Sequence, residues 1–393
     1  MLKRQNACKI EALSFTADRL TVTWGDGHQS VFPSIWLLHA CDNPICGSSE
    51  TGVRLVKLTD QPARPQILAA RSQDGEAIVE WGKGHVSRFA PVWLRGHCLS
   101  NAERLRRQPA AEPWGTEMKD RLTYLSYGDV SADADTHLTF LEALRDDGVV
   151  ILQDVPVARE RTEEIAGLVG KLHLTNYGIF ELEAKPTPEI VGDMAVALEL
   201  HTDEPYRIEV PSITFFHVLK QSDAGGESTM ADGLWLAARM AEKHPEEFEI
   251  LKTVNARHHR ILKEGRVFDV QAPIFPTDVY SRVSGIRIND RGMAPVDCPL
   301  GQVEPFYDAL RILLEMIYSG EGRVTTKLKE GEMMVFNNQR LLHGRERFDP
   351  ARSHRHVRSC HVDLDEFHSR LRVAYRLRDD WNAWRTMTTM AHT

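Results

Sequence analysis

The sequence predicts an α+β protein in which a small, mostly β module precedes a larger domain. Three observations carry this. A segment near the N-terminus occurs twice, as VTWGDGHQSVFPSIWL at 22–37 and VEWGKGHVSRFAPVWL at 79–94. Beyond about residue 116, apolar residues recur at helical spacing. Short apolar runs lie among these helices without regular βαβ alternation or a glycine-rich phosphate loop, which favours α+β over a nucleotide-binding fold.

In the repeat, Trp24, His28, Phe32 and Trp36 match Trp81, His85, Phe89 and Trp93 at a constant offset of 57. Large and polar residues alternate as in strands, and Gly25-Asp26-Gly27 and Gly82-Lys83-Gly84 are turn chemistry. Two copies are too few for a solenoid, which needs about three, so paired hairpins over residues 1–99 are expected. SNAERLRRQPAAEPWG (100–115), polar and punctuated by Pro109 and Pro113, reads as a linker to a domain over 116–393. Between the copies, Cys41 and Cys46 stand with four residues between them. Thiolates so spaced can share a tetrahedral zinc with an imidazole such as His85; two buried, unliganded cysteines are the alternative.

In the second domain, DTHLTFLEALRDDGVVILQDV predicts a helix with apolar Leu138, Leu141 and Leu144, stopped near Gly148, then a buried strand Val149–Leu152. TEEIAGLVGKLH continues the helical period through Ile165, Leu168, Val169 and Leu172. In VEPFYDALRILLEMIYSG, Phe306, Leu310, Leu313, Leu314 and Ile317 form one stripe, with Pro305 suited to the first turn. SITFFHVLK, GIRIND and EMMVFNN are expected to be strands.

The chain has 393 residues, 42% hydrophobic and 26% charged, a globular balance with room for two or three domains. Its net charge of -8 argues against nucleic acid as a partner. The N-terminus MLKRQNACKI lacks a signal-peptide core, and no run of about 18 apolar residues appears, so a cytoplasmic protein without a membrane partner is expected. Six cysteines in so long a chain do not suggest a disulfide framework.

HTDEPYR at 201–207 poses the chemical question. Side chains two apart on a strand share a face, so His201 and Asp203 can reach one ion. His343 in FNNQRLLHGRERF is the candidate third ligand. Two histidines and a carboxylate make the facial triad of non-haem Fe(II) oxygenases; two surface histidines and a capping aspartate are the alternative.

HTDEPYRIEVPSITFFHVLKQ, AGGESTMADG, VFNNQRLLHGRERF and SHRHVRSCHVDLD, in this order, resemble the γ-butyrobetaine and trimethyllysine dioxygenase family, which belongs to the taurine-dioxygenase-like Fe(II)/2-oxoglutarate enzymes. The likeness extends to the N-terminal W-x-D-G-H-x-S-x-F and W-L motifs. It implies a double-stranded β-helix (jelly-roll) core with flanking helices, Fe(II) on His201, Asp203 and His343, and O2 and 2-oxoglutarate as co-substrates. It further implies Arg355, with Ser228, for the distal carboxylate of 2-oxoglutarate, and a homodimer. It places zinc on Cys41, Cys46 and His85, with Asn43 where relatives often carry a third cysteine; the fourth ligand is left open between His39, water and no metal at all.

In that family an aromatic cage holds the substrate's trimethylammonium. Tyr177 matches one member, while Glu181, Asp193, Glu204 and His361 stand where other aromatics would be. A carboxylate accepts hydrogen bonds from a primary or secondary ammonium but not from a quaternary one. Glu204 is thus expected to read a cationic substrate, or else to pair with Arg207, and Arg207 or Arg291 to hold an anionic end. The expected activity is hydroxylation of an unactivated C–H in a small cationic or zwitterionic substrate. Alternatives are a trimethylammonium-phosphonate hydroxylase, a hydroxylase of a non-quaternary amine, and a silent metal-binding interaction protein.

Overall fold

Each copy of the repeat supplies the second hairpin of a three-stranded antiparallel meander. The first is β1 (Ile10–Thr16), β2 (Arg19–Trp24) and β3 (Gln29–Pro33); the second is β4 (Ala69–Gln73), β5 (Glu76–Glu80) and β6 (Val86–Phe89). The computed structural model describes residues 8–41, 43–47, 51–107, 111–175, 178–183, 196–262, 265–348 and 355–377. The chain divides into two units, Met1–Ala110 and Ala111–Thr393.

The likeness of the two meanders reaches single bonds. Trp24 Nε1 donates to Ser30 Oγ at 2.9 Å, and Trp81 Nε1 to Ser87 Oγ at 2.8 Å. Gly27 (φ 79°) and Gly84 (φ 71°) take left-handed conformations in the equivalent turns. A shared core of Leu20, Trp24, Phe32, Val79, Trp81 and Phe89 joins the halves. The stretch expected as a linker is partly helical: Ser100 caps Asn101–Arg106, its Oγ accepting from Glu103 N at 3.4 Å, while Trp114 is fully buried in the second unit.

The second unit contains β7 (Tyr124–Ser126), β8 (Val149–Gln153), β9 (Phe180–Glu183), β10 (Leu198–His201), β11 (Ile213–Lys220), β12 (Ser228–Asp232), β13 (Asn255–Ile261), β14 (Val267–Pro273), β15 (Met293–Ala294), β16 (Val324–Thr326), β17 (Met333–Asn337), β18 (Leu341–Arg345) and β19 (His356–Val362). They form a six-stranded sheet, β7-β8-β17-β11-β19-β9, a four-stranded sheet, β10-β18-β12-β16, and a small sheet, β14-β13-β15. Strand alternation sets the layers. Val150 and Leu152 of β8 and Met333 and Val335 of β17 face the helices Ala134–Asp146 and Leu364–Leu377. Their neighbours Val149, Ile151, Met334 and Phe336 turn the other way, against Met230 and Leu341 of the four-stranded sheet. Helices Gly233–Lys243, Pro245–Thr253 and Leu300–Ser319 pack beside that second sheet through Leu236, Leu251, Phe306 and Leu313.

Three sequence expectations shift. The helix predicted through Leu172 spans only Arg161–Ala166. Its continuation runs against the C-terminal helix, where a Cβ on Gly170 would lie 2.4 Å from Glu366 Cβ. The long helix begins at Leu300, so Pro305 lies inside it rather than in its first turn. GIRIND (285–290) is no ladder strand. It straps several segments together instead: Ile286 N donates to Gln339 O at 3.0 Å, Arg287 N to Ile274 O at 2.9 Å and Ile288 N to Thr202 Oγ1 at 3.0 Å.

On β13, His258 is fully buried with neither ring nitrogen hydrogen-bonded among the described residues. Burial lowers its pKa to about 4, so the unfolded chain, near 6.5, binds the extra proton between these values. Stability should therefore fall as pH drops from about 6.5 towards 4, by ~1.4 kcal/mol per pH unit from this residue. Urea titrations at pH 7 and pH 5 check it; a His258→Leu protein should lose that part of the slope.

Candidate active site

The two histidines meet because β10 and β18 pair antiparallel with His201 directly opposite His343. Their rings lie 4.6 Å apart. Asp203 sits past the end of β10, not on the strand as the spacing argument supposed, and a separate set of bonds places it. Thr202 N donates to Ile288 O at 2.8 Å. Asn338 Oδ1 accepts from Asp203 N at 2.7 Å, and Asn338 Nδ2 donates to Asp203 O at 3.2 Å. One carboxylate oxygen of Asp203 is then 3.5 Å from His201 Nε2, and the other 3.5 Å from His343 Nε2. One donor atom from each of the three residues lies within 4.8 Å of the others.

The protonation states suit a cation. Burial lowers His343 to about 3, outweighing the upward pull of Asp203, so its ring is neutral. Burial also opposes ionisation of Asp203, but His343 and His201 hold its carboxyl well below the usual range. His201 Nδ1 donates to Glu199 O at 2.8 Å, turning Nε2 towards Asp203. A neutral imidazole at His343 beside an ionised Asp203 carboxylate is what a divalent metal requires of these two residues. Two nitrogens and one oxygen, with further positions open, fit Fe(II).

These residues line a cavity of about 340 Å³, near the small end for ligand sites. On one wall Ser228 and Arg345 are cross-strand partners, and Arg355 joins them; all three are buried. Glycines let the chain before Ser228 pass close to its neighbours. A Cβ on Gly225 would fall 2.2 Å from Arg347 O, and one on Gly226 (φ 73°) would lie 3.5 Å from Arg355 Cδ. Burial, then Arg345, pulls the pKa of Arg355 down to about 9, which leaves it charged at neutral pH.

Arg291 and Glu204 also line the cavity. Glu204 is 6% exposed and has φ 48°, a left-handed conformation that costs a non-glycine residue ~1–3 kcal/mol. One of its oxygens pairs with Arg207, whose guanidinium lies 4.6 Å over the Phe268 ring. Burial nevertheless raises the Glu204 pKa.

Two expected substrate residues do not line the cavity. On β9, Phe180 and Leu182 do, so alternation turns Glu181 away, where it pairs with Arg358 at 2.7 Å, Arg159 at 2.9 Å and His356 at 3.2 Å. His361 bonds Thr214 through Nδ1 at 3.0 Å and has Phe180 edge-on at 5.9 Å. Tyr177 and Asp193 lie outside the described residues. Arg345, Arg260, Asn289, Phe216 and Tyr206 line the cavity without having been singled out from the sequence. For Arg345 the signal was present: two residues beyond His343, it shares that strand face.

In the first unit, Cys41 Sγ and Cys46 Sγ each lie 3.5 Å from His85 Nε2, a second group of three potential ligands. His39 is exposed and outside this group. Asn43 spends its side chain on the loop, Oδ1 accepting from Ile45 N at 3.1 Å and Nδ2 donating to Val86 O at 3.4 Å.

The family description "Taurine catabolism dioxygenase TauD, TfdA family" matches residues 106–361, a span that holds His201, Asp203, His343 and Arg355. The chain belongs to this family. It is an iron- and 2-oxoglutarate-dependent dioxygenase of the hydroxylase type. Gamma-butyrobetaine dioxygenase of Pseudomonas sp. (strain AK-1) is 31% identical over 370 residues, covering 93% of this chain and 96% of that one. The Homo sapiens gamma-butyrobetaine dioxygenase is 27% identical with the same coverage, and the mitochondrial trimethyllysine dioxygenase of Bos taurus 27% over 85% and 80%. Among solved structures, PvcB, an Fe, alpha-ketoglutarate dependent oxygenase, aligns with a TM-score of 0.46 at 20% identity, covering 65% of this chain and 91% of that one. Among the described residues of this dioxygenase, no helix is long and apolar enough to cross a membrane.

Proposed function

We propose that this TauD/TfdA-family enzyme hydroxylates an unactivated C–H bond of a small zwitterion related to γ-butyrobetaine. The observation that carries the reading is the convergence of His201, Asp203 and His343 on one face of a small cavity whose wall bears buried Arg355 and Ser228. The family's ferrous ion, bound there with 2-oxoglutarate, supplies the oxidising chemistry from O2. The protein's part is placement. His201, Asp203 and His343 would hold the metal, and the cavity they line would take its further ligands. Arg355, with the Ser228 hydroxyl beside it, grips the distal carboxylate of 2-oxoglutarate; a guanidinium fork matches a carboxylate with two parallel bonds. Phe180, Leu182 and Phe216 keep water from the reacting carbon. Arg291, with Asn289 next to it on the wall, takes the substrate's anionic end, and Glu204 takes the cationic end. Tyr177 and Asp193 remain candidates for that cationic pocket. The six- and four-stranded sheets are proposed to form the family's jelly roll.

A phosphonate in place of the carboxylate is the second reading, favoured by two guanidinium groups, Arg260 and Arg291, on the same lining. Succinate formation from 2-oxoglutarate, stimulated by a candidate zwitterion and accompanied by a hydroxylated product, tests the proposal. Tight partner binding without any 2-oxoglutarate turnover would revive the silent interaction protein.

The Cys41–Cys46–His85 group is proposed to hold a structural zinc, with the fourth position left to a non-protein ligand. Metal analysis should find one zinc per chain and none in Cys46→Ser. Each kcal/mol lost in so small a unit should lower its melting temperature by about 4–8 °C.

A further inference from the structure

Glu204 presents to the cavity a carboxylate with two unlike oxygens. Oε2 is engaged by Arg207 and the Thr175 hydroxyl also lies against the carboxyl, favouring its ionised form, while Oε1 is buried and makes no hydrogen bond of ordinary length among the described residues. An acceptor hidden from water and left unmade is costly, and the left-handed backbone at Glu204 adds to the cost. The turn that imposes this conformation is closed by Arg207 N donating to Glu204 O at 3.1 Å. Among the described lining residues the only carboxylates are Asp203 and Glu204. Asp203 is committed to the metal, so Glu204 is the acidic acceptor left for a substrate.

What that acceptor can recognise follows from its surroundings. A quaternary ammonium has no N–H; it is held by ring faces or by an uncompensated negative field. Arg207, paired with Oε2, opposes the negative field of Glu204. The same guanidinium occupies the face of Phe268 at 4.6 Å, and Tyr206 packs against that ring at 5.5 Å, so an aromatic surface beside the site already carries the protein's own cation. Glu181, a further potential anion, is turned into its own network with Arg358 and Arg159. What remains at Glu204 is a directional lone pair, which suits an N–H donor.

We infer that Glu204 Oε1 accepts a hydrogen bond from the substrate's nitrogen, so that the enzyme selects a zwitterion with a primary, secondary or tertiary ammonium over its quaternary homologue. The inference rests on the zwitterion-hydroxylase reading and narrows its substrate class.

The test is a methylation series, 4-aminobutyrate and its N-methyl, N,N-dimethyl and N,N,N-trimethyl forms, assayed on the Fe(II)- and 2-oxoglutarate-loaded enzyme. Members bearing an N–H should exceed the trimethyl member in kcat/KM by at least about tenfold. In Glu204→Gln, Arg207 claims the amide oxygen and an NH2 faces the cavity, so the preference should collapse. Thermal shifts of the loaded protein under an inert atmosphere score the same series by binding alone. Equal or better use of the trimethyl compound, or an unchanged preference in Glu204→Gln, overturns the inference. Selective binding of N–H members without succinate from any of them would sink the hydroxylase reading and leave the recognition standing. No binding by any member would overturn both.

Discussion

Replacing Arg355 with glutamine should raise the KM for 2-oxoglutarate by about 10²–10³-fold while leaving Fe(II) affinity nearly unchanged. The side chain is 6% exposed, and both burial and the neighbouring Arg345 depress its pKa. A buried guanidinium beside a second one gains from an arriving carboxylate. Truncating one partner of such a desolvated charge pair costs ~2–5 kcal/mol, and each 1.4 kcal/mol is about tenfold. Glutamine keeps a donor but loses the charge and the fork. The metal donors come from β10, the turn after it and β18, so iron binding has no reason to follow. Arg345 should be less sensitive, because its Nη2 already donates to Val196 O at 2.9 Å and its guanidinium lies 4.7 Å over the Phe348 ring. Steady-state kinetics at saturating substrate read the difference. A KM change below threefold for Arg355→Gln would place the co-substrate carboxylate elsewhere.

Much of this site was legible because its parts are local in sequence. H-x-D is two residues apart, FNNQRLLHG carries His343, and a basic residue follows at a fixed distance. The parts that misled were those in which one residue of register decides the outcome. Glu181 and Phe180 are adjacent, yet alternation sends one into an ion-pair network and the other to the cavity wall. An alignment that reads positions as equivalent has no access to which face a short edge strand presents. Asp203 shows the complementary case: the strand argument reached the right residue for an incomplete reason, since Asn338 and Ile288, far along the chain, place it. Arg260 was invisible for a third reason. It comes to the lining on a sheet separate from both larger sheets, and no spacing along the chain links it to His201.

The same logic locates the structural keystone just before His343. Arg340 and Asp232 form a two-pronged pair, Nη2 to Oδ2 at 2.9 Å and Nε to Oδ1 at 3.1 Å, with side chains only 4% and 0% exposed. Arg340 also donates to Asp146 O at 2.6 Å and Glu112 O at 2.9 Å; Asp232 accepts from Trp114 N at 3.1 Å and Leu234 N at 3.0 Å. The pair thus ties the entry to the second unit, the end of helix Ala134–Asp146, β12 and the start of β18. Arg340→Met strands a buried carboxylate and should cost ~3–5 kcal/mol of stability. Replacing both residues by apolar ones would ordinarily recover most of that loss. Here it should not, because two backbone N–H groups lose their acceptor at ~1–3 kcal/mol each. Urea denaturation of Arg340→Met, Asp232→Leu and the double variant forms the cycle. A single-variant loss below 1 kcal/mol, or full recovery in the double, would show that the pair is not what joins these segments.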